Sequence, residues 1–378
     1  MGLFNIFKKE KPENTKEKSS GKIPEIKVEI SSSINDSYDP DEGVIPIEKR
    51  IDGQEPTCDG LYPHEVLALD YAPGFYTDEN NFQGFWWYKY GIKDVQKILD
   101  SLCERGYTRV GSIESAINAE KMPLIKETLK KYELKVSGKK AELVARLLEN
   151  VPEDDLEKVF TRHTYELTEK GETVLKAYEW IPYIHHHREI EDLDIWNLTD
   201  LMQTPPKANF RDKIWRYLNQ RGSVHMSNGD FGLYRNSRFE MAEFVEEEGK
   251  HQIAFSLLCE VLDYDLSGLQ NNFDMQFLYI YARHFFPYEK STVKMAPGIT
   301  SRVEQCASAM GWTQDELRDQ LLSNLAKFQL PFRLFSDEEI ADIVIAEIQS
   351  DKVKLNEMYT VAEKRFQKKY NIDTREQW

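Results

Sequence analysis

The residues best suited to chemistry lie in the stretch VSGKKAELVARLLEN, residues 136–150. Ser137 and Gly138 begin a turn, and Lys139 and Lys140 lead from it into an amphipathic helical pattern. A glycine beside a helix N-terminus lets an anion approach unpaired backbone N–H groups, and neighbouring lysines add positive charge. The stretch therefore predicts a site for phosphate groups.

This positive stretch lies in an acidic chain of 378 residues with a formal net charge of -16. Between residues 119 and 150, eight cations and five anions leave a balance of +3. The cations are Lys121, Lys126, Lys130, Lys131, Lys135, Lys139, Lys140 and Arg146; the anions are Glu120, Glu127, Glu133, Glu142 and Glu149. Because generic phosphate binding needs a large positive surface, any contact with nucleic acid must be local.

Two predicted helices position the turn. Pro123 suits the first turn of the earlier helix, whose apolar face includes Ile125 and Leu129. Ser137 is predicted to cap the second helix, and Pro152 ends it. The segment is thus a helix-turn-helix hairpin, too short to hold much core of its own, and we expect it to lean on neighbouring elements.

Residues 119–152 resemble the SAP domain, in which two helices flank a turn reading Ser-Gly-Lys-Lys before an "AELVARLLE" helix. The resemblance implies binding to DNA, generally duplex and often A·T-rich, by a module that tethers another activity. Carried over by position, it implies backbone-phosphate contacts by Ser137, Gly138, Lys139 and Lys140, with Lys130, Lys131, Lys135 and Arg146 around them. The alternative is a purely structural hairpin with solvated lysines.

The sequence around this segment suggests a composite region. A helical pattern at residues 92–106 ends in LCERGYTRVGS, and YELTEKG follows the SAP-like segment. Together they resemble the helix-then-wing order of bacterial winged-helix domains, with the SAP-like segment inserted where the wing's hairpin belongs. A short strand is predicted at residues 164–167, with Thr168 as the N-cap of the next helix.

Beyond residue 198 the pattern is mostly helical. RFEMAEFVEEEGKHQIAFSLLCEVLDYD places Ala242 and Ala254 where two antiparallel helices would cross, which resembles one tetratricopeptide-type (TPR-like) hairpin. Further helices are predicted around residues 301–310, 313–328 and 336–367, the last opened by a capping box of Ser336 and Glu339. This all-α C-terminal domain is expected to bind an unknown protein partner.

The predicted fold class is therefore mainly α and multidomain. The divisions are a disordered N-terminal arm at residues 1–55, an aromatic-rich α region at 56–118, the SAP-like segment at 119–152, a winged-helix-like segment at 153–197 and the helical domain at 198–378. Clustered aromatics at Phe85, Trp86, Trp87 and Tyr88 favour a core over a base-stacking platform.

Two other groups have metal-binding residue types. His185, His186 and His187, with Glu189, would form a metal site if His185 and His187 pointed the same way along a strand. An exposed His run beside Arg188, which could also contact phosphate, is favoured over the metal site. The Glu-x-Lys triplet within Glu246–Lys250 resembles that of metal-dependent nucleases, but its position on a predicted turn favours a solvated acidic loop.

The cysteines, the length of the apolar segments and the N-terminal residues indicate the expected cellular setting. Four widely spaced cysteines favour reduced thiols in the cytoplasm, and no segment has the ~20 apolar residues of a membrane span. Leu3, Phe4, Ile6 and Phe7 beside lysines favour a frayed terminus over a membrane or partner contact.

The function predicted is a non-enzymatic, DNA-binding protein without metal or cofactor. The alternatives are a helical scaffold that does not bind DNA and a metal-dependent nuclease. Through "GLYPHEVLALDYAP", "FQGFWWYKYG" and "GDFGLYRNSRFEMAEF" the whole chain also resembles uncharacterised SAP-containing proteins of bacteria and their phages.

Overall fold

The computed structural model describes residues 43–187 and 190–374. The predictions for the N-terminal apolar run, Arg188 and Glu189 lie outside these ranges. The chain divides into two units, Met1–Val44 and Ile45–Trp378, and the elements below belong to the second. The described residues form 19 α-helices and one two-stranded sheet, which confirms the mainly α fold class.

An N-terminal group of helices precedes the first strand. Ile47 is buried and its backbone N–H donates to Gly91 O at 3.0 Å, so helical structure begins within the segment predicted as a disordered arm to residue 55. Trp86 is 1% exposed and belongs to the core, whereas Tyr88 is 68% exposed. The elements are α1 (Ile47–Arg50), α2 (Pro63–Tyr71), α3 (Phe85–Tyr88), α4 (Val95–Glu104) and β1 (Thr108–Val110).

A helical module, residues 111–164, is inserted between the two strands of the sheet. β1 pairs antiparallel with β2, with Thr108 opposite Leu167 and Val110 opposite Tyr165. The inserted module therefore leaves and re-enters the rest of the unit at one place. Its elements and the closing strand are α5 (Ile113–Ala119), α6 (Met122–Lys131), α7 (Lys140–Asn150), α8 (Glu153–Glu157) and β2 (Tyr165–Leu167).

Four helices follow the sheet. Thr168 caps the first of them as predicted, because its Oγ1 accepts a hydrogen bond from the Gly171 N–H. The same hydroxyl donates to Gly106 O at 2.7 Å and so ties this helix to the end of α4. The helices are α9 (Glu169–Ala177), α10 (Trp180–His186), α11 (Ile195–Gln203) and α12 (Phe210–Asn228).

In the described residues of the C-terminal part, α-helices are joined by loops and short 3₁₀ turns. The predicted hairpin is present as two packed helices joined by a turn at Gly249, which has φ +69°. The single segment predicted at residues 336–367 is two helices, broken at Ser350 (φ +56°). The helices are α13 (Phe231–Glu246), α14 (His251–Ser267), α15 (Leu278–Tyr281), α16 (Pro297–Met310), α17 (Gln314–Leu325), α18 (Asp337–Ile348) and α19 (Lys352–Tyr370).

The unit has two separate hydrophobic cores. The larger one includes buried residues from Ile47 to Phe366. Among them are Tyr107, just before β1, and Val174, in the helix that follows β2. The smaller one lies wholly inside the inserted module. Within the described ranges, every helix is too short or too polar to cross a lipid bilayer.

Candidate nucleic-acid interface

The small core explains how the helix-turn-helix hairpin is held. α6 contributes Ile125 and Leu129, and α7 contributes Leu143, Val144 and Leu147, all within 2% of complete burial. α5, α8 and the residues just after α8 close the core, through Ile113, Ala116, Ile117, Leu156 and Phe160. The hairpin therefore leans on two flanking helices, as its small size predicted.

The loop between α6 and α7 begins with a tight helix end. Tyr132 N–H and Leu134 N–H donate to Thr128 O and Leu129 O, at 3.2 and 2.8 Å. Glu133 between them has φ +57°, a left-handed conformation that ends many helices. The chain then runs over the surface to Lys139 with Ser137 and Gly138 exposed.

The N-cap of α7 is Lys139, two residues after the predicted Ser137. Gly138 has φ +139°, so the turn extends past the serine and moves the start of the helix. The Glu142 carboxylate accepts a hydrogen bond from the Lys139 N–H at 3.3 Å. An acidic side chain is thus already bound at the helix N-terminus, where the dipole favours negative charge.

Gly138 is the residue that this arrangement requires. A Cβ at position 138 would lie 2.5 Å from Glu142 Oε2, and φ +139° is a conformation that side-chain-bearing residues rarely adopt. The glycine lets the turn pass close to the helix N-terminus. The backbone N–H groups of Lys140 and Ala141 make no hydrogen bond to another described residue and face this end of α7.

Two of the predicted phosphate-binding cations instead support the turn. The half-buried Arg146 guanidinium donates to Lys135 O and, at 3.4 Å, to Ser137 O, so it fastens the loop onto α7. Lys140 Nζ donates to Asn118 O at 2.5 Å and ties the start of α7 to the end of α5. Both side chains therefore donate their hydrogen bonds to backbone carbonyl oxygens of the module.

The other four predicted cations are available to a ligand. Lys130, Lys131, Lys135 and Lys139 are exposed, and within the described residues none of these ammonium groups forms a hydrogen bond or a salt bridge; the charge of Lys131 does act on Asp155, the partner of Lys158. Lys131 Nζ lies 5.7 Å from the Tyr132 ring centroid. They lie at the end of α6, along the loop and at the N-cap of α7, so the structure brings them to one region of the module.

A polar stem fixes the inserted module to the sheet. Gly111 N–H donates to Thr164 O at 2.8 Å, and Ser112 donates to Glu166 Oε1 through its backbone (3.0 Å) and its hydroxyl (2.8 Å). The Ser112 N–H, aided by Arg109, holds the pKa of Glu166 below its usual range. These bonds set the direction in which the module leaves β1.

His163 is the titratable group of the stem. Its Nδ1 lies 2.9 Å from Gly111 O and its Nε2 lies 2.9 Å from Glu157 Oε2. Burial opposes protonation, but the hydrogen bonds to Glu157 and Gly111 outweigh it and raise the pKa of His163. The ring thus joins the end of α8 to the start of the module.

The histidine run does not form a shared site. Residues 185 and 186 end helix α10 and do not form an extended strand. His185 is sandwiched between two tyrosine hydroxyls, with Nδ1 2.6 Å from Tyr90 Oη and Nε2 2.8 Å from Tyr71 Oη. Burial lowers the pKa of His185 to about 4.

The next two histidines point to other partners. His186 Nε2 lies 2.8 Å from Asp70 Oδ2, and His187 Nε2 lies 2.8 Å from Glu247 Oε1. Each ring of the run is therefore bound to a different group. Among the described residues, the three imidazoles do not converge on one point.

The acidic turn between α13 and α14 is occupied by cations of the chain itself. Arg211 donates to Glu248, and Lys250 Nζ also contacts this carboxylate. These two cations hold the pKa of Glu248 below its usual range. Glu247 is paired with Arg211 and His187, and Glu246 with Arg302. The Glu-x-Lys triplet is thus a network of ion pairs.

Comparison with known proteins identifies one segment of the chain. Residues 125–152 match the family model of the SAP domain, a generally DNA-binding motif. The match covers α6 from Ile125 onward, the loop and α7, and lies within residues 119–152, the segment that the sequence analysis singled out. Comparison of the whole chain with curated proteins and with solved structures gave no match.

Proposed function

We propose that this protein binds duplex DNA through its SAP module and performs no catalysis itself. The observation that carries the proposal is the group of four exposed lysines, Lys130, Lys131, Lys135 and Lys139, which form no salt bridge among the described residues, although the charge of Lys131 acts on Asp155. In a chain of net charge -16, such a group is a local attraction for phosphate.

The eight predicted binding residues divide into two roles in this proposal. The four exposed lysines contact phosphates directly. Gly138, Lys140 and Arg146 shape the turn, and the exposed Ser137 hydroxyl is free to donate to a phosphate oxygen. Since such contacts reach the backbone, binding is tolerant of base sequence, and any preference for A·T-rich duplexes comes from groove shape.

Salt dependence of DNA affinity tests the proposal. Each lost phosphate contact lowers the slope of log affinity against log salt by about 0.9. We expect the triple substitution Lys130→Ala, Lys135→Ala and Lys139→Ala to weaken binding of a labelled duplex and to reduce the slope by about 2 to 3. Fluorescence anisotropy over a series of salt concentrations measures both quantities.

A matched control removes the same charge elsewhere. Lys352→Ala, Lys364→Ala and Lys368→Ala act on exposed lysines of α19, and we expect them to leave affinity and slope unchanged. Lys140→Ala tests the supporting role: it should promote local opening of α7, seen by amide hydrogen exchange, because it releases Asn118 O. If the SAP triple variant binds DNA as the unmodified protein does, the proposal fails.

A helical interaction scaffold without DNA binding is the alternative function. The observation that favours it is a run of apolar side chains, Met275, Phe277, Tyr279 and Ile280, each 41 to 50% exposed. Its working surface would be the helical C-terminal half, including the TPR-like pair α13 and α14. The salt titration separates the two functions, because a scaffold of this kind predicts DNA affinity that the lysine substitutions leave unchanged.

The absence of catalysis is part of the proposal. It is supported by the ion pairs at Glu247 and Glu248, which leave these carboxylates without the open oxygens that Mg²⁺ needs. Cleavage of duplex DNA with Mg²⁺ or Mn²⁺ that is lost in Glu248→Ala would replace this proposal with a nuclease.

We further propose a cytoplasmic setting and a relation to SAP-containing proteins of bacteria and phages. The first is supported by four free cysteines, three of them buried, which suit a reducing compartment. The second is supported by the sequence resemblance alone.

A further inference from the structure

Three residues of metal-binding type meet where α13 turns into α14. Glu246 ends α13, His251 begins α14 and Cys306 lies on α16. One potential ligand atom from each lies within 4.8 Å of the other two. We propose that Glu246, His251 and Cys306 bind a transition-metal ion of the zinc class, with water or an added ligand in the fourth position.

The fold holds these residues together without any metal. The turn at Gly249 brings Glu246 and His251 to the same end of the α13–α14 pair. α16 packs on α14, and Cys306 shares its buried face with Ile299 and Val303. Cys306 is fully buried, so its sulfur has a fixed place in the larger core. A site positioned in this way loses little entropy when it binds an ion.

The donor set indicates which metal fits. Thiolate and imidazole are the ligands of zinc and similar transition metals, whereas Mg²⁺ and Ca²⁺ prefer oxygen alone. Bonds of about 2.0 to 2.3 Å to one ion place ligand atoms about 3.3 to 3.8 Å apart. The observed group, within 4.8 Å, is wider than this spacing, so binding an ion would require the Glu246 and His251 side chains to move about 1 Å toward Cys306.

His251 supplies a second, independent observation. Its Nδ1 is buried and has no hydrogen-bond partner among the described residues. Burying a polar nitrogen without a partner costs free energy, and such an atom calls for a ligand. Coordination by a metal ion would satisfy it.

Arg302 positions the carboxylate. It donates to Glu246 and also to Glu243, so it holds the Glu246 side chain in one orientation. A carboxylate has two oxygens, and the one that Arg302 does not bind is left for a metal. Hydrogen bonds of this kind to a ligating carboxylate are common around protein metal sites.

A cleft borders Glu246, one of the three proposed ligands. Glu246 and Arg302 line a cleft of about 340 Å³ together with Glu240, Glu243 and Glu247. Arg302 offsets the charges of Glu243 and Glu246, Arg211 offsets that of Glu247, and burial raises the pKa of Glu240 to about 7. The cleft therefore brings water to the carboxylate end of the proposed site.

Cobalt(II) serves as the probe, because it occupies zinc sites and reports its ligands by absorption. We expect the full chain, first stripped with a chelator, to bind one equivalent of Co²⁺. The spectrum should contain a thiolate-to-cobalt charge-transfer band in the near ultraviolet, and Zn²⁺ should displace it. Cys306→Ser should lose the band, whereas Cys58→Ser, an equally buried cysteine outside the cluster, should keep it.

A second variant keeps the test decisive if the Cys306→Ser protein does not fold. His251→Gln lies at the partly exposed start of α14, and we expect it to weaken cobalt affinity by about tenfold or more while circular dichroism stays unchanged. If Cys306→Ser does not fold, His251→Gln decides the question.

Three results would overturn the proposal. One is no cobalt binding, and another is a charge-transfer band that survives both substitutions with unchanged affinity. The third is cobalt binding without that band, which would place the ion away from Cys306. The DNA titration uses other residues, so either proposal can fail without the other.

Discussion

At the scale of single residues, side chains of equal charge differ in what they can do. Lys139 and Lys140 are neighbours, yet Lys139 is exposed and unpaired while Lys140 holds Asn118 O. Arg146 likewise fastens the loop through backbone carbonyls. A charge count from sequence gives +3 for the hairpin, but only the structure indicates which cations remain available for phosphate.

Glu142 is the residue that most directly opposes phosphate at the turn. Its carboxylate accepts from the Lys139 N–H at the start of α7, which is the place that the sequence analysis assigned to an anion. We expect Glu142→Gln to raise DNA affinity about two- to fivefold, since a charge at a helix N-terminus contributes about 0.3 to 1 kcal/mol. Anisotropy at low salt measures the change.

Glu149→Gln is the matched control for this substitution. Glu149 is also exposed and lies near the other end of α7, so its loss changes the net charge equally but leaves the turn intact. An equal gain in both variants would indicate a general charge effect. A loss of affinity in Glu142→Gln would instead show that the cap, by ordering the turn, matters more than its charge.

At the scale of elements, local signals predicted the helices well. Apolar periodicity located α4, α6 and α7, and cap residues located the starts of α9 at Thr168 and α18 at Ser336. The cap assigned to Ser137 was wrong, because Gly138 extends the turn by two residues. Serine before glycine carries no local signal that separates these two arrangements.

Other features of the elements have no local signal. The break at Ser350 contains neither glycine nor proline, so residues 336–367 predicted one helix. The pairing of β1 with β2 depends on strands that the whole inserted module separates in sequence. The winged-helix-like interpretation of this region stays a prediction.

The stem of the inserted module is expected to depend on pH. The pKa of His163 is raised in the folded protein, so the folded state binds this proton more tightly than the unfolded chain. The stabilisation is complete below about pH 6.5, the ordinary pKa of histidine, and is lost as pH rises through the folded-state value. We expect the difference in melting temperature between the unmodified protein and His163→Gln to shrink as pH rises.

Melting curves at about pH 5.5 and about pH 8.5, on either side of the ordinary histidine pKa, measure this difference. Glu157→Gln removes the partner of Nε2 and should show the same trend. A difference that stays constant over this range would mean that His163 is neutral in the folded protein and that its hydrogen bond to Gly111 O alone supports the stem.

At the scale of the whole molecule, the two hydrophobic cores support two different parts of the unit. The small core supports only α5 to α8 and the loop with the exposed lysines, while the large core orders the remaining helices. The proposed metal ligands illustrate what sequence alone cannot predict here. Cys306 reaches Glu246 and His251 only because α16 packs on α14, and no spacing motif joins them.

The separation of the two cores predicts that the inserted module is removable. The Gly111 N–H donates to Thr164 O next to the pair Val110 and Tyr165, so replacing residues 111–164 with Gly-Asn-Gly-Thr would keep this hydrogen-bonded pair and close a two-residue hairpin of a favoured type. The losses to the large unit are polar contacts such as Thr77 N–H to His163 O and Arg162 to Asp78. Exposed ion pairs of this kind contribute little to stability.

We therefore expect the shortened protein to fold with a melting temperature within about 4 °C of the full chain, a shift that corresponds to about 1 kcal/mol. It should no longer bind duplex DNA, because its remaining surface is acidic and repels phosphate. Circular dichroism and the salt titration measure the two outcomes. Unfolding of the shortened chain would show that the large core needs the module, whereas DNA binding with an unchanged salt slope would place the DNA site outside residues 111–164.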